Sequence, residues 1–380
     1  MTERENTHIA QTWRRIAGLV TFSIALAGFS LSAAAAEHAV YTTTNAAAGN
    51  KVLVFTDDQG GSLLLRESVP THGVGTDAGL GSQGAIALSG NGHWLFTVNA
   101  GSDDVTTFRI GHEGHLTFIG RSPSGGTQPI SLAQHDDLLY VLNAGGAGNI
   151  TGFRVRGDGA LKPITGSTRD LGGSAVGPAQ VGFNSSGDTL VVTEKNANRI
   201  ALYSLDEDGI PSNPQIVQSA GQTPFGFAVD RHDHLLVSEA FGGAVGASAV
   251  SSYELEDDGL EVESASSPTH QTAACWVVVT RRGRYAYTTN TGSGTVTGYR
   301  VLRGGDLEPL TTGGATGVTG SGTTPTDAAL SPGDRGLFVL TPKVGGIARF
   351  SVHKDGSLIA LTGATGVPLS SVGLAVRAID

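Results

Sequence analysis

Two carboxylates stand out by their place in a repeated phrase. Glu194 ends the run Leu190 to Glu194 (LVVTE), and Glu239 ends Leu235 to Glu239 (LLVSE). The same place elsewhere in the chain holds Asn45, Asn99, Asn143, Asn290 and Thr341. An Asn at such a place caps its own hairpin turn with its side chain, and a carboxylate is not needed for that. Two acids brought close together raise one pKa and divide general-acid and general-base work between them. With Asn oxygens such as those of Asn143 and Asn290, they also make a donor set for a divalent cation, calcium foremost. The plainer alternative is that each acid is solvated, or paired with Lys195 or a nearby arginine.

A second set of polar groups precedes these phrases. Aligned on a Pro or its equivalent, six segments place Ile86, Ser131, Gln180, Gly226, Cys275 and Asp327 at one position. Gln180 and Asp327 there are candidate ligand-binding groups, although ordered water would satisfy them equally well. Cys275 is the only cysteine, so no intrachain disulfide is possible. A lone cysteine in such a place is a small buried filler before it is a nucleophile. His270 and His72 fall on connecting segments, where an imidazole either meets a ligand or is simply exposed. No GxSxG, HExxH or CxxC pattern occurs, so serine-hydrolase, zinc and redox readings have no support.

The elements that must position these groups are short strands. Trp94 to Ile119 (WLFTVNAGSDDVTTFRIGHEGHLTFI) reads as three strands of alternating polarity separated by Gly-rich turns. Six more copies follow the same plan, beginning at Tyr41, Leu139, Leu190, Leu235, Tyr285 and Leu337. They recur roughly every 45–50 residues, the period of four-stranded propeller blades. A lone blade exposes an apolar face, so the copies must stack. The segments Gln83 to Leu88, Gln128 to Ala133, Pro178 to Phe183, Pro224 to Val229, Ala273 to Val278 and Pro325 to Leu330 supply the inner strands around a central channel. The first copy lacks such a segment, and Ser371 to Val376 follows the last copy. The expected fold is therefore an all-β, seven-bladed propeller, its ring closed by the C-terminal strand joining the N-terminal blade. Strand directions put the second-to-third hairpins and the blade connectors on one face, called the top. The acidic Asp/Gly hairpins then lie on the bottom.

Residues 1–36 stand apart. Arg14 and Arg15 precede an apolar run from Ile16 to Leu31 and then four alanines, the pattern of a secretory signal peptide. The chain thus divides into a signal (1–36) and a propeller (37–380), with a periplasmic or secreted destination and no membrane span in the mature chain. The net charge is −10, and the signal holds three of the 24 basic and two of the 34 acidic residues, which leaves −11 for the remainder. Such a charge argues against nucleic acid and anionic membrane surfaces as partners. A monomer is expected.

The repeat resembles the YVTN-type, lactonase-like seven-bladed propellers, which include cycloisomerase-type 6-phosphogluconolactonases and carboxymuconate-lactonizing enzymes. The carrying phrases are TVNAGSDDVTTFRI, YTTNTGSGTVTGYRV and VVTEKNANRIALYSL, and the likeness extends from about Tyr41 onward. The resemblance implies a lactonase or lactonizing cycloisomerase acting on a small lactone or carboxylated sugar. Glu194 matches the Glu that ends the second strand in the corresponding blade of the catalytic members. Their Arg-His pair in the preceding inner strand is replaced here by Ala179 and Gln180. Two other readings stand beside it: a calcium-dependent gluconolactonase-type enzyme, and a non-catalytic secreted propeller that binds protein or glycan. The expected working pair at the channel top is Glu194 with Glu239. Gln180, Asn143, Asn290, His270 and Asp327 are the expected binding groups.

Overall fold

The computed structural model describes residues 38–57, 61–256 and 259–379. The signal expected at residues 1–36 lies outside the described residues. The rest forms seven antiparallel sheets, one per blade. In blade one the order from the outside inward is Leu63–Pro70, Lys51–Asp57, His38–Thr43 and Val372–Ala378. His38 lies opposite Ala378 and Tyr41 opposite Ala375, so the ring closes by the two ends of the chain, as the missing inner strand required. The expected fold class holds throughout.

Period-two patterning explains the blades. Their second strands, such as Trp94–Asn99 and Tyr285–Asn290, are almost wholly buried, because both faces meet a neighbouring blade. Apolar side chains from adjacent blades meet in shared clusters. One joins Tyr41 and Val54 of blade one to Leu95 and Phe108 of blade two. Another joins Tyr140 and Leu142 of blade three to Val192 and Tyr203 of blade four.

Tyrosines fasten these contacts at the bottom face. Tyr41, Tyr140 and Tyr287 donate their hydroxyls to the carbonyls of Gly114, Gly209 and Gly356, each in the next blade, at 2.9, 2.5 and 2.9 Å. Glycine is required at such a place for two reasons. Gly356 has φ 86°, and a Cβ there would sit 2.6 Å from the Tyr285 ring.

The second-to-third hairpins and the blade connectors share the top face, as strand direction dictates. Gly101 N donates to Val74 O at 3.0 Å, Lys195 N to Gly177 O at 2.9 Å, and Thr291 N to Ala273 O at 2.9 Å. Among the described residues no helix is long and apolar enough to cross a membrane.

Candidate functional site at the top face

The residue that ends each second strand faces the first residue of the third strand across the hairpin. The pairs are Asn99 with Asp104, Asn143 with Asn149, Glu194 with Arg199, Glu239 with Ala249, and Asn290 with Thr295. At Asn99, Asn143 and Asn290 the side chain ties its own hairpin, the role expected of an Asn there, whereas Asn45 Nδ2 donates to Thr76 and Ala78 of the blade connector. Asn290 Nδ2 donates to Thr295 and Thr297 Oγ1 at 3.0 and 2.9 Å, and Asn143 Nδ2 donates to Asn149 Oδ1 at 2.8 Å and to the connector carbonyl of Ser124 at 3.2 Å. The Oδ1 atoms of Asn143 and Asn290 are buried without a partner.

Blade four replaces this cap with an ion pair. Arg199 Nε donates to Glu194 Oε2, and Glu194 is 0% exposed. Glu194 Oε1 and Arg199 Nη2 are both buried with no hydrogen-bond partner. The connector Gly172–Gly173 covers the guanidinium, since a Cβ on Gly172 would lie 2.8 Å from Arg199 Nη2.

Blade five solves the same position differently. Its cross-strand residue is Ala249, so Glu239 reaches two residues further along the third strand. Ser251 and Ser266 Oγ donate to its two oxygens, the second at 2.6 Å. Burial raises the Glu239 pKa, and the Ser251, Ser266 and Gly221 donors hold it back in part. Glu239 is 0% exposed, and no hydrogen bond or ion pair links it to Glu194. Among the described residues no group of three or more His, Cys, Asp or Glu side chains is arranged as metal ligands. Each of the two carboxylates is engaged by its own blade's partners.

The channel-facing groups stitch the inner strands together. Gln180 Oε1 accepts from Phe227 N at 2.7 Å and its Nε2 donates to Phe227 O at 3.0 Å, so the amide pairs with the backbone of blade five as a strand would. Asp327 accepts from Gly373 N at 3.0 Å and from Gly84 N at 3.4 Å. Burial pushes the Asp327 carboxyl up to about 7. Cys275 is buried and its thiol is pushed up to about 11 by burial, so it is a neutral filler at ordinary pH. His270 is exposed on its connector with φ 53°.

The connector from blade one to blade two carries a feature the repeat does not foretell. Its residues 81–84 bond to five other blades, which places them on the axis. Gly81 O accepts from Lys195 Nζ of blade four. Ser82 Oγ donates to Ile130 O of blade three at 2.8 Å, and Ser82 O accepts from Trp276 Nε1 of blade six at 2.8 Å. Gln83 donates to Val277 O at 2.8 Å and to Phe227 O of blade five at 3.5 Å, and it accepts from Val277 N at 3.0 Å. Gly84 N meets Asp327 of blade seven, as above. The channel is therefore plugged beneath its top mouth. Beside the plug, Leu80, Gln128, Ala144, Val176, Pro178 and Lys195 help line a cleft of about 270 Å³. Lys195 Nζ sits 4.6 Å from the centre of the Phe225 ring, and burial lowers its pKa. Arg199 and the plug were not singled out from the sequence. The arginine follows Glu194 by five residues, the register of a tight hairpin, and that spacing is the signal that could have found it.

Residues 35–169 match the family model described as lactonase, 7-bladed beta-propeller. A search of curated protein sequences gave no match. Solved structures of the same fold include the periplasmic gluconolactonase of Pseudomonas aeruginosa, 18% identical, covering 90% of this chain and 100% of that one with a TM-score of 0.70. A protein assigned as a 6-phosphogluconolactonase from Bacteroides fragilis is 17% identical, with 91% and 99% covered and a TM-score of 0.69. A protein from Lactobacillus plantarum is 16% identical, with 90% and 99% covered and a TM-score of 0.71. At these identities the likeness shows the fold. The resemblance read from the repeat phrases is borne out: the chain folds as a lactonase-like seven-bladed propeller.

Proposed function

We propose that this protein is an exported lactonase-like propeller that opens a small lactone, carboxylated or sugar-derived, at its top face, with Glu194 and Arg199 as the working pair. The observation that carries this reading is the open state of that pair. A fully buried carboxylate oxygen and a buried guanidinium nitrogen both lack partners. The two charges neutralise each other, yet each group keeps one buried hydrogen-bonding atom free, and leaving such an atom unpartnered is costly. A water on Glu194 Oε1 and a substrate oxygen on Arg199 Nη2 complete both groups at once.

The chemistry follows from those two contacts. Glu194 takes a proton from the water as its oxygen adds to the lactone carbonyl carbon. Arg199 donates to the carbonyl oxygen while negative charge gathers on it. The ring C–O bond then breaks, and the departing oxygen takes the proton from Glu194. Lys195, in the wall of the adjoining cleft, holds a substrate carboxylate. The stretch Gly172 to Val176 moves aside to admit the ligand, since Glu194 is otherwise closed off. The family match and the gluconolactonase neighbour support the reaction class.

A panel of five- and six-membered lactones, assayed with and without chelator, tests this. Glu194→Gln should reduce turnover of the still-folded protein by roughly 10²–10⁴-fold, and should also lower the melting midpoint, because it strips the buried Arg199 of its counter-charge. Arg199→Lys should also reduce turnover, because a point charge does not replace the fork. Turnover that chelator abolishes would favour the calcium-dependent reading. No turnover of any lactone would favour a binding propeller for protein or glycan.

A further inference from the structure

The bottom face holds a second site of different chemistry. Below the plug the channel opens into a chamber of about 620 Å³, roofed by Gln83 and walled by Phe227, Ala228, Val277, Val279 and Leu330. Ala228, Val279 and Leu330 stay only partly buried, although they are apolar and lie inside the ring. Arg281 and Asp334 stand at its mouth and also line a neighbouring groove of about 770 Å³. That groove carries Arg231, Arg281, Arg282, Arg284, Arg335 and Lys354, on a chain whose net charge is −10. Its one carboxylate, Asp334, is turned to the backbone N–H of Arg281 at 3.0 and 3.2 Å. None of these six cations is ion-paired with a described carboxylate; the described arginine ion pairs lie at Arg121, Arg154, Arg156, Arg199, Arg300 and Arg349.

We infer that the bottom face binds a soluble anionic amphiphile, its unbranched tail in the lower channel and its carboxylate or phosphate head on the arginine groove. The two cavities share residues, so one ligand spans both. Guanidinium forks match oxyanion heads, and an anion bound among these six cations offsets their mutual repulsion. Gln83 is the lining group from the plug, and the apolar wall from Phe227 to Leu330 gives the tail its contact surface. A bare anion leaves the chamber unused, and a neutral tail leaves the cations unneutralised. The hollow is lined by inner strands within the ring, so a tail must leave its bilayer to enter it, which singles out the free amphiphile over a membrane lipid.

Calorimetric titration of the full mature protein tests this with hexyl and octyl phosphate below their micelle concentrations. Inorganic phosphate serves as the head alone and octyl glucoside as the neutral tail. Octyl phosphate should bind more tightly than hexyl phosphate by about fourfold per added methylene, and both should weaken as salt is raised. The double variant Arg281→Ser, Arg335→Ser should weaken octyl phosphate binding at least tenfold with the melting midpoint unchanged. The proposal is overturned if affinity does not depend on tail length, or if inorganic phosphate binds as well as octyl phosphate. Binding that the double variant leaves intact overturns it too. So does binding to anionic phospholipid vesicles without binding of the free alkyl phosphates.

Discussion

Asp327 holds the inner end of the plug to the closing strand, with one oxygen on Gly84 N and the other on Gly373 N. Its pKa is raised from 3.8 to about 7 because burial penalises the charged form more than the two N–H donors favour it. A carboxyl with a raised folded-state pKa binds its proton more tightly in the native protein. The stability it contributes is therefore complete below about pH 4 and is lost as pH rises through about 7. Asp327→Asn imitates the protonated form. Because its amide does not titrate, its melting midpoint should gain on the wild type's steadily as pH rises from about 4 to about 7. A wild-type-to-variant difference that is the same at both ends of that range would show that the carboxyl does not titrate within it. Glu239 contributes in the same direction, since its pKa is raised as well. Residue chemistry of this kind was only half visible in the sequence. The exceptional standing of Glu194 and Glu239 followed from comparing seven copies of one phrase. Their partners did not, because Arg199 and Ser251 lie on the facing strand, where hairpin register decides what each acid meets.

At the scale of elements, the blades were legible because alternating polarity and Gly turns recur with one period. The missing inner strand in the first copy and the surplus strand at the end even predicted ring closure. The plug escaped notice for the opposite reason. The segment expected as blade two's inner strand starts at Gln83, but the strand begins only at Ile86, and the partners of Gly81, Ser82 and Gln83 stand as far as 194 residues away. The plug is held by an amide that pairs with both backbone groups of Val277. Gln83→Leu leaves that N–H and C=O unsatisfied inside the ring and should lower the unfolding free energy by about 2–4 kcal/mol. Trp276→Phe removes a single bond to Ser82 O and should cost about 1 kcal/mol. Chemical denaturation of both variants measures the ratio. Equal losses would mean that the amide clamp is dispensable and that packing alone holds the segment.

For the molecule as a whole, the plug separates two surfaces of unlike character. The top face presents the Glu194–Arg199 pair and the small cleft beside Lys195; the bottom presents an apolar chamber rimmed by arginines. A ligand on one side has no open route along the axis to the other. The ring that carries both faces depends on its last strand. Removing residues 371–380 strips blade one of Val372–Ala378 and bares the edge of His38–Thr43. Exposed, apolar strand edges recruit other chains, so the truncated protein should aggregate or lose its cooperative transition. A truncated chain that melts like the intact one would place the closure elsewhere.

That closure also sets an order of events in time. Thr42 donates to the carbonyl of Val372, a contact that spans 330 residues of chain. Blades two to seven can each form from neighbouring sequence as it is synthesised, but blade one cannot finish until the final residues exist. Contacts of such long sequence separation carry a large loop-closure entropy and come late. Until the C-terminal strand is available, the edge of His38–Thr43 that it covers stays unpaired. Ring closure must wait until the last strand can pair with the first.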